Sequence, residues 1–536
     1  MKKIIFVVSV LWSVFSVGQI EDAWVYFTDK PQSNYYLNNP LEMLSQRALD
    51  RRLNQNISLD YTDVPIHQPY VDSISNSNVL VLAKSKWLNA IHIRGTFDDI
   101  TDLSNLSFVE SVDFANKSLN SQAKSKVNFK NPTVSQKQLE TTENFVYGNS
   151  GNQIQIHNGH LLHQEGFTGT GKIIAVLDNG FDGVDTALPF ERLHTENLIL
   201  GGYDFVNQSN NFYTGGNHGT RVLSIIGAYQ ENELIGSAPN ASYYLFITED
   251  NTSETPLEES LWVEAAERAD SLGVDIINTS LGYNTFDNPN YNYTYNDLDG
   301  VTTFISRGLN LAYSKGIICV TSAGNAGNGA WQYITSPADA LGSFTVGAVN
   351  ANGNYASFSS IGPTFDNRIK PDVVAQGVAT VNAFPDGTIT VGNGTSFSAP
   401  VISGLVACLW EAYPSLTNEQ LMQFIRESAH IYQNPTSELG YGIPDFYQVY
   451  QNLSIKIPDN STVTLYPNPV SDRLYFRTNA STEKGHISLY DISGKCVLEE
   501  FLDTAFPIDL THIASGLYVY RVVLDNGTTT GKLIKK

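Results

Sequence analysis

The sequence predicts an α/β protein whose main sheet is mostly parallel and covered by helices on both faces. Short, almost continuously apolar runs alternate with helical patterns from residue 151 to about 455, and strands buried on both faces read in this way. The elements before this region fit a small α/β domain. After it, short strands recur at regular spacing between turns, which is typical of a small all-β sandwich.

Charge and cysteine content narrow the class of protein. The chain carries 54 acidic against 32 basic residues, for a formal net charge of −22. Nucleic acids and anionic membranes bind basic patches, so this balance argues against either as the main partner. Of the three cysteines, Cys319 and Cys408 lie in apolar runs where a small buried side chain is expected. The fold must therefore depend on its core, or on some other stabilising feature, and not on disulfides.

The first 18 residues have the pattern of a secretory signal peptide. Lys2 and Lys3 precede an apolar run from Ile4 to Val17, and small residues around Gly18 offer a cleavage site. A membrane anchor is the alternative, but serines interrupt the run, and it is shorter than the ~20 residues that cross a bilayer. We expect cleavage after Gly18, a secreted or cell-surface protein, and no later segment that spans a membrane.

Residues 19 to about 130 form the first predicted domain. Residues 77–95 contain an alternating run, a short helical stretch and a second alternating run. A helical pattern at 98–106 and a strand pattern at 108–114 follow, and together they fit a small α/β sandwich. The stretch from about 117 to 150 is rich in Asn, Ser, Gln, Lys and Thr, which predicts an exposed linker.

The central domain is predicted over 151–455 and a C-terminal β-sandwich over 460–536. The predicted strands of the central domain lie at 172–178, 243–248, 275–281, 317–323 and 344–349. Its predicted helices lie at 220–228, 257–272 and 304–315. Strand–helix alternation favours a parallel sheet, in which ligand sites form at the carboxyl ends of the strands.

Ser396 lies in G-N-G-T-S-F-S-A-P, where a glycine turn enters a helical pattern. The free N–H groups and the dipole of a helix start favour an anion. A nucleophilic serine needs such a setting, because its tetrahedral intermediate carries a negative oxygen. An ordinary helix cap is the alternative, since Thr395 and Ser396 are both good N-cap residues. On this segment alone the two interpretations are equally favoured.

His218 and Asp178 occupy comparable positions. His218 opens a helical pattern in G-G-N-H-G-T-R-V, where an imidazole can take a proton from a serine and return it to a leaving amine. Asp178 ends the apolar strand I-I-A-V-L-D, from which a carboxylate can orient that imidazole. Taken singly, a polar histidine at a helix start and an Asp-Asn-Gly turn are the simpler explanations.

Asn325 follows a further apolar strand in V-T-S-A-G-N-A-G. Its amide can donate a hydrogen bond to a developing oxyanion, although a loop asparagine beside glycines explains the residue alone. Turns and helix caps can explain each of the four residues singly, but they do not explain why all four occur together. All four residues lie at a strand end or a helix start of one α/β domain, and the order Asp, His, Ser is one of three known triad orders.

The segments around these four residues resemble the subtilisin-like serine peptidases, the subtilases. G-T-S-F-S-A-P is the most specific motif, followed by H-G-T-R-V and S-A-G-N, and the resemblance covers residues from about 150 to 455. It implies a subtilisin-like fold and a catalytic triad. Asp178 would orient His218, His218 would act as general base and then acid, and Ser396 would be the acylated nucleophile. Asn325 and the backbone N–H of Ser396 would form the oxyanion hole.

The resemblance also implies which segments bind substrate. In this family, certain segments pair with the substrate backbone and form the wall of the pocket for the residue before the scissile bond. The matching residues in this chain are Ser280, Leu281, Gly282, Ala323 and Gly324. Glycines there let a peptide approach as an additional strand. We expect protein or peptide substrates, a monomer, and no required cofactor.

Three features depart from the family pattern. Asn179 stands where Ser or Thr commonly follows the aspartate, and Arg221 stands where a second histidine is common; neither is essential to the triad. The stretch from Tyr283 to Thr303 is an enlarged insertion beside the substrate-binding segment and leaves the substrate preference open. Its carboxylates and amides are ligand types that structural Ca²⁺ takes, but a solvated loop without metal is the favoured interpretation.

The flanking regions resemble accessory domains of exported peptidases. Residues 19–130 resemble the subtilase propeptides, which assist folding and inhibit the enzyme until they are cleaved. Y-P-N-P at 466–469, D-I-S-G-K at 491–495 and the terminal K-L-I-K-K resemble the sorting domains of type IX secretion cargo in Bacteroidetes-type bacteria. This implies the type IX secretion machinery as a partner. An accessory carbohydrate- or surface-binding domain is the alternative for the tail.

The predicted function is therefore a secreted serine endopeptidase that is made as a precursor. The alternative is a surface-binding protein built on an inactive peptidase scaffold. Such proteins usually lose a triad residue, whereas Asp178, His218, Asn325 and Ser396 are all present.

Overall fold

The computed structural model describes residues 19–120, 145–456, 464–477, 484–491, 495–503, 507–524 and 527–536. The predicted signal peptide, and residues 121–144 of the predicted linker, lie outside the described residues. The chain divides into two units, Met1–Val449 and Tyr450–Lys536.

The first unit begins with a four-stranded antiparallel sheet. Its strands are β1 (Ile20–Phe27), β2 (Leu80–Ser85), β3 (Ala90–Thr96) and β4 (Val109–Phe114), in the order β2-β3-β1-β4. Its helices are α1 (Ser33–Asn38), α2 (Gln46–Asn54), α3 (Gln68–Ser75) and α4 (Phe97–Asp102). Phe27, Ile74 and Ile93 belong to the buried core of this domain.

Residues 86–89 form a turn, and the short helical stretch expected there was wrong. β2 and β3 are neighbouring antiparallel strands, so the chain must reverse within a few residues. Asn89 adopts a φ of 50°, a left-handed conformation that asparagine tolerates. Its amide donates to Phe27 O at 2.8 Å, which fixes the turn against β1.

A seven-stranded parallel sheet lies at the centre of the first unit. The strands are β5 (Ile173–Asp178), β6 (Ile199–Asp204), β9 (Ser242–Ile247), β10 (Ile276–Thr279), β11 (Ile318–Ser322), β12 (Ser343–Val349) and β13 (Val373–Gln376). Their order is β13-β12-β11-β10-β5-β9-β6, and all pairs are parallel. β5, β10, β11 and β12 are buried throughout. The predicted fold class is confirmed.

Helices and two short hairpins surround this sheet. The helices are α5 (Gly151–Gln155), α6 (Gly159–Gln164), α7 (Glu191–Thr195), α8 (His218–Gly227), α9 (Pro256–Leu272), α10 (Phe304–Ser314), α11 (Thr395–Ala412) and α12 (Asn418–Glu427). A last helix, α13 (Phe446–Lys456), begins in the first unit and continues into the second. The hairpins are β7 (Tyr229–Gln230) with β8 (Leu234–Ile235), and β14 (Thr380–Ala383) with β15 (Ile389–Gly392). A capping box between Thr255 and Glu258 starts α9, and Gly273 ends it at a φ of 87°.

α11 is the central core helix. By length and composition it is apolar enough to cross a membrane, contrary to the expectation that no later segment is, but 94% of it is buried inside the fold. Gly404 allows this packing, since a Cβ there would collide with Ser237. Cys408 in α11 and Cys319 in β11 are buried free thiols, as expected.

The N-terminal sheet packs on α9 and α10. Trp24 stacks on Phe304 with the ring centroids 4.9 Å apart, and its indole N–H donates to Ser260 Oγ at 2.8 Å. Glu267 of α9 accepts three hydrogen bonds from the N-terminal domain. Their donors are Ser85 Oγ at 2.7 Å and the backbone N–H groups of Lys86 and Trp87, each at 2.9 Å.

A buried ion cluster joins α2 to the end of α9. Arg52 lies 2.7 Å from Asp270 and 2.8 Å from Asp63, and Arg51 also pairs with Asp270. The four side chains are at most 4% exposed. Burial opposes ionisation of Asp270, but the charges of Arg52 and Arg51 outweigh it and hold its pKa below the usual value. The cluster is therefore a charged contact between the N-terminal domain and the central domain.

The insertion from Tyr283 to Thr303 is packed, so the favoured interpretation of a solvated loop was wrong. Tyr283, Phe286, Tyr291 and Tyr293 are at most 8% exposed, and Tyr291 OH donates to Glu21 at 3.1 Å. Aromatic side chains, not polar ones, therefore determine its conformation. In the described part of the chain no group of three or more His, Cys, Asp or Glu could hold a metal ion; the expectation about Ca²⁺ stays a prediction.

The second unit is built from two sheets. One has the order β16-β17-β20 and the other β19-β18-β21-β22. The strands are β16 (Thr464–Tyr466), β17 (Arg473–Arg477), β18 (Lys484–Tyr490), β19 (Cys496–Asp503), β20 (Ile508–Asp509), β21 (Gly516–Leu524) and β22 (Gly527–Lys535). Leu474 and Ile508 of the first sheet share one buried core with Ile487 and Val522 of the second. This is the β-rich domain that the sequence predicts.

Replacing Asp270 by Ala in the full-length chain is expected to lower the free energy of unfolding by about 3–5 kcal/mol, because two buried guanidinium groups lose their shared partner. Urea unfolding followed by tryptophan fluorescence measures the loss. The matched control is Asp366→Ala, which removes the 37% exposed partner of Arg368 and should cost less than about 1 kcal/mol. Equal losses in the two variants would contradict the role of the buried cluster.

Candidate active site

The structure brings the four predicted site residues to one edge of the parallel sheet. Asp178 is the last residue of β5, His218 the first of α8, and Ser396 the second of α11. Asn325 follows the end of β11 by three residues. The carboxyl ends of parallel strands meet at the same edge, and helices that return across the sheet begin there.

Asp178 and His218 form a hydrogen-bonded pair. His218 Nδ1 lies 2.8 Å from Asp178 Oδ1, which also accepts the backbone N–H of Asn179 at 2.8 Å. Gly219 allows α8 to come this close, since a Cβ there would lie 2.9 Å from Asp178 Cβ. Because Nδ1 donates its proton to the carboxylate, Nε2 of His218 is left as the proton acceptor.

The electrostatic surroundings of His218 favour its protonated form. Burial disfavours the imidazolium, but the charge and hydrogen bond of Asp178 outweigh it, so that the pKa of His218 is raised above its usual value. Two weaker influences oppose each other: Arg221 lowers this pKa and Glu249 raises it. The imidazole is therefore an effective base only above its raised pKa.

The side chains of Ser396 and Asn325 both lie close to Gly394. A Cβ at Gly394 would be 3.0 Å from Ser396 Oγ and 3.6 Å from Asn325 Nδ2, and the φ of 152° there favours glycine. Asn325 Oδ1 accepts from the backbone N–H of Thr395 at 2.9 Å and from its hydroxyl at 3.1 Å. These two bonds fix the orientation of the amide and leave its NH₂ group to donate elsewhere.

The structure does not join His218 to Ser396 directly. Both belong to the described residues, and no hydrogen bond links their side chains. Phe397 lies next to both residues: it follows Ser396 in α11, and its ring stacks on that of His218 with the centroids 5.7 Å apart. Catalytic hydrogen bonds are often long without substrate and shorten in the Michaelis complex.

The predicted substrate-binding segments lie beside Ser396. Ser280 Oγ donates to Ser396 O at 3.0 Å. Leu281 is half-buried and Gly282 exposed, and neither forms a backbone hydrogen bond with another described residue. Position 282 requires a glycine, because a Cβ there would collide with the hydroxyl of Thr335. Leu281 and Gly282 therefore offer free backbone groups to an extended peptide.

Ala323 and Gly324 differ from that segment. Ala323 is fully buried, and its N–H and C=O are bonded to Val346 and Thr335. Gly324 is half-buried at a φ of 104°. Ala323 can line a pocket but cannot pair with a substrate backbone, since its own backbone groups are already used.

Glu249 near the site was missed from the sequence, and Arg221 was noted there only as a departure from the family pattern. Glu249 follows β9 by two residues, and both of its carboxylate oxygens accept from Tyr283 OH at 2.7 Å; burial raises the pKa of Glu249. Arg221 stacks on Phe397 with its Cζ 4.7 Å from the ring centroid. The strand-end argument applied to Asp178 would have found Glu249, whereas no sequence signal placed Arg221 on Phe397.

The central domain matches a known protein family. The model described as "Subtilase family" matches residues 169–443, about half of the chain, including all four site residues. The chain belongs to the subtilase family. Subtilisin NAT of Bacillus subtilis subsp. natto is 31% identical to this subtilase over 271 residues, 50% of the chain and 63% of the relative. The chain thus covers less than two thirds of that relative's length.

Other known proteins are similar to this subtilase in part. The subtilisin of Bacillus pumilus is 31% identical over 271 residues, 50% of the chain and 87% of the relative. The solved structure of MycP1 with its N-terminal propeptide removed shares 23% identity and a TM-score of 0.45, covering 56% of this chain and 96% of that one.

Two further family models match the flanking regions of the subtilase. "Peptidase S8 propeptide domain, Bacteroidota" matches residues 22–131, and "Secretion system C-terminal sorting domain" matches residues 464–536. The sorting domain indicates export and a secreted or cell-surface location. The three family resemblances inferred from the sequence are confirmed.

Replacing Asp178 by Asn is expected to lower the pKa of His218 relative to the wild type, because burial and the charge of Arg221 then act without the opposing carboxylate. Nitrogen–proton NMR of the imidazoles measures it, with His218→Gln used for assignment. Asp204→Asn is the matched control. Asp204 also ends a strand of the sheet, but it bonds Asn207 and not His218. An unchanged pKa of His218 in Asp178→Asn would contradict the pairing.

Proposed function

We propose that this subtilase is a secreted serine endopeptidase that hydrolyses protein substrates through an acyl-enzyme intermediate. The observation that carries the proposal is the 2.8 Å bond between Asp178 and His218 Nδ1 at the same sheet edge as Ser396 and the oriented amide of Asn325. A carboxylate, an imidazole, a hydroxyl at a helix start and an amide donor are the set that acyl transfer requires.

The chemistry begins with His218 Nε2 taking the proton from Ser396 Oγ as that oxygen attacks the scissile carbonyl carbon. Asp178 stabilises the imidazolium that forms, and its bond to Nδ1 keeps the ring oriented. The carbonyl oxygen becomes negative, and Asn325 Nδ2 and the backbone N–H of Ser396 donate to it. His218 then gives its proton to the leaving amine, and the amine departs. Water repeats the sequence on the acyl-enzyme.

The substrate is proposed to bind as an extended strand beside Leu281 and Gly282. Their backbone groups are unpaired within the described residues, and strand addition uses such groups to hold a peptide without regard to its side chains. Ala323 and Gly324 are proposed to wall the pocket for the residue before the scissile bond. This arrangement supports protein and peptide substrates as a class.

The N-terminal domain is proposed to act as an inhibitor of the mature enzyme. Its contacts with α9 are extensive and buried, and they include the ion cluster of Arg51 and Arg52 with Asp270. Such contacts support a domain that stays bound after the chain is cut. The type IX secretion machinery is the proposed partner of the C-terminal sorting domain.

Ser396→Ala is expected to abolish covalent labelling by a fluorophosphonate probe and hydrolysis of casein, because the attacking oxygen is lost. Gel fluorescence and a casein assay measure the two effects. The matched control is Ser398→Ala in the same helix, where the hydroxyl donates to Thr395 O at 2.9 Å and to no other group in the described part of the chain; labelling should be retained.

Mass spectrometry of the mature N- and C-termini also compares the wild type with Ser396→Ala. The wild type should lose the N-terminal domain, and Ser396→Ala should retain it if removal is autocatalytic. A folded wild-type protein, freed of its propeptide, that does not react with the probe would refute the peptidase and favour an inactive binding scaffold.

Asn325→Ala is expected to lower kcat about 10²- to 10³-fold with a much smaller change in KM, because the lost donor acts on the oxyanion and not on the bound substrate. Steady-state hydrolysis of a peptide substrate separates the two constants. Asn328→Ala, an exposed asparagine of the same loop, is the control and should match the wild type. A loss confined to KM would point instead to a role in substrate binding.

A further inference from the structure

Arg221 is a charged side chain at the site to which the proposed chemistry assigns no role. It lies one helical turn after His218 in α8 and is half-buried. Its Cζ is 4.7 Å from the ring centroid of Phe397 and 4.8 Å from that of Phe384, and its Nε donates to Asn382 Oδ1 at 2.9 Å. The guanidinium is therefore held in a fixed position.

Arg221 has no carboxylate partner among the described residues. Ion pairs within 4.0 Å there involve Arg47, Arg51, Arg52, Arg94, Arg192, Arg368 and Arg426, but not Arg221. Burial lowers the pKa of Arg221, with no nearby acid to offset it. In a chain with 54 acidic residues, Arg221 thus remains a half-buried cation without a carboxylate partner among the described residues, and its guanidinium can bind an anion from outside the chain.

The backbone around Arg221 is shaped to accommodate it. A Cβ at Gly392 would lie 2.6 Å from Arg221 Nη2 and would collide with the ring of Phe397. Any larger residue at the end of β15 would therefore displace the guanidinium or the ring. Asn382, which holds Nε, is fully buried in β14 and is itself fixed by a 2.8 Å bond from its amide to Thr380 O.

The contacts around Arg221 indicate on which side of the scissile bond it lies. The acyl side of the substrate is assigned to Leu281 and Gly282, and Ser280 of that segment contacts the backbone carbonyl of Ser396. Phe397 instead directs its ring to α8 and to the hairpin of β14 and β15. Arg221, which stacks on Phe397, is therefore assigned to the flank of the His218–Ser396 pair that the segment of Leu281 and Gly282 does not occupy, the side on which the leaving peptide would depart.

We propose that Arg221 binds a carboxylate on the leaving-group side of the scissile bond and so selects substrates that carry a negative charge there. The proposal rests on the peptidase function proposed above and names a residue that sets its specificity. The terminal nitrogens of an arginine match both oxygens of a carboxylate. The aromatic rings on which Arg221 stacks hold the guanidinium ready, so little freedom is lost on binding.

The test uses the mature enzyme and internally quenched peptides with one acyl-side sequence, taken from a peptide-library digest by the same enzyme. The peptides carry Asp or Asn at the first or the second position after the scissile bond and end in an amide. A further pair places a free or an amidated C-terminus at the second position. Comparing the pairs distinguishes an acidic side chain from a terminal carboxylate as the group that is bound.

The wild type is expected to hydrolyse the peptide with the carboxylate about tenfold faster than its neutral partner, as kcat/KM, for at least one pair. Arg221→Met should reduce this ratio to about one, and Arg221→Lys should retain part of it, because a charge remains without the planar donors. Using a ratio removes any effect of the substitution on His218. In the wild type the preference should weaken as the salt concentration rises.

Arg268→Met is the matched control. Arg268 is exposed and also stacks on an aromatic ring, that of Tyr203, but β6 is the edge strand of the sheet, away from Ser396. This variant should keep the wild-type ratio. A wild-type ratio of one at low salt for every pair, or a ratio that persists in Arg221→Met, would overturn the proposal.

The outcomes separate this inference from the proposed function. If neither peptide of any pair is hydrolysed, the peptidase function fails, and the inference fails with it. Equal hydrolysis of all the peptides overturns the inference alone. Should Arg221→Met fail to fold, the wild-type ratio, its decrease with salt and the behaviour of Arg221→Lys decide the question.

Discussion

The common direction of the central strands is the constraint on which the site depends. β5, β10 and β11 run parallel, so their carboxyl ends leave the sheet side by side. Asp178, Ser280 and Asn325 come from these ends and need no long loops to meet. Connections between parallel strands must also return across the sheet, which places the starts of helices such as α8 and α11 at the same edge. Helix starts carry unpaired N–H groups, so this edge collects donors as well as acids.

The insertion at 283–303 links the N-terminal domain to the substrate segment. Tyr283 is paired with Ser336 through two backbone hydrogen bonds, and its hydroxyl binds Glu249 near His218. A few residues further along, Tyr291 contacts Glu21 of the N-terminal domain. The insertion thus contacts the N-terminal domain, which is proposed to be removed, through Tyr291. It also adjoins the segment of Leu281 and Gly282, which is proposed to bind substrate.

Much of this organisation could be predicted because it depends on local patterns. Apolar runs identify β5, β10 and β11, and glycine turns before polar residues identify His218 and Ser396. The contacts of the insertion could not be predicted, since its Asn and Asp residues suggest solvent while its burial depends on residues far away in the sequence, in α9 and in the N-terminal domain. The stacking of Arg221 on Phe397 could not be predicted from the sequence for a similar reason. The two residues are far apart in the sequence, and neither forms part of a periodic pattern.

The contact of Glu267 with the N-terminal domain has a consequence for how the two parts of the chain can change during evolution. Two of its three donors are backbone N–H groups, those of Lys86 and Trp87, which every residue except proline provides. Substitutions at these two positions leave those bonds intact, whereas a substitution of Glu267 removes all three at once. For the hydrogen bonds of this contact, the constraint on sequence therefore falls on Glu267 and not on residues 86 and 87, and the side chain of Trp87 is constrained instead by its packing in the buried core.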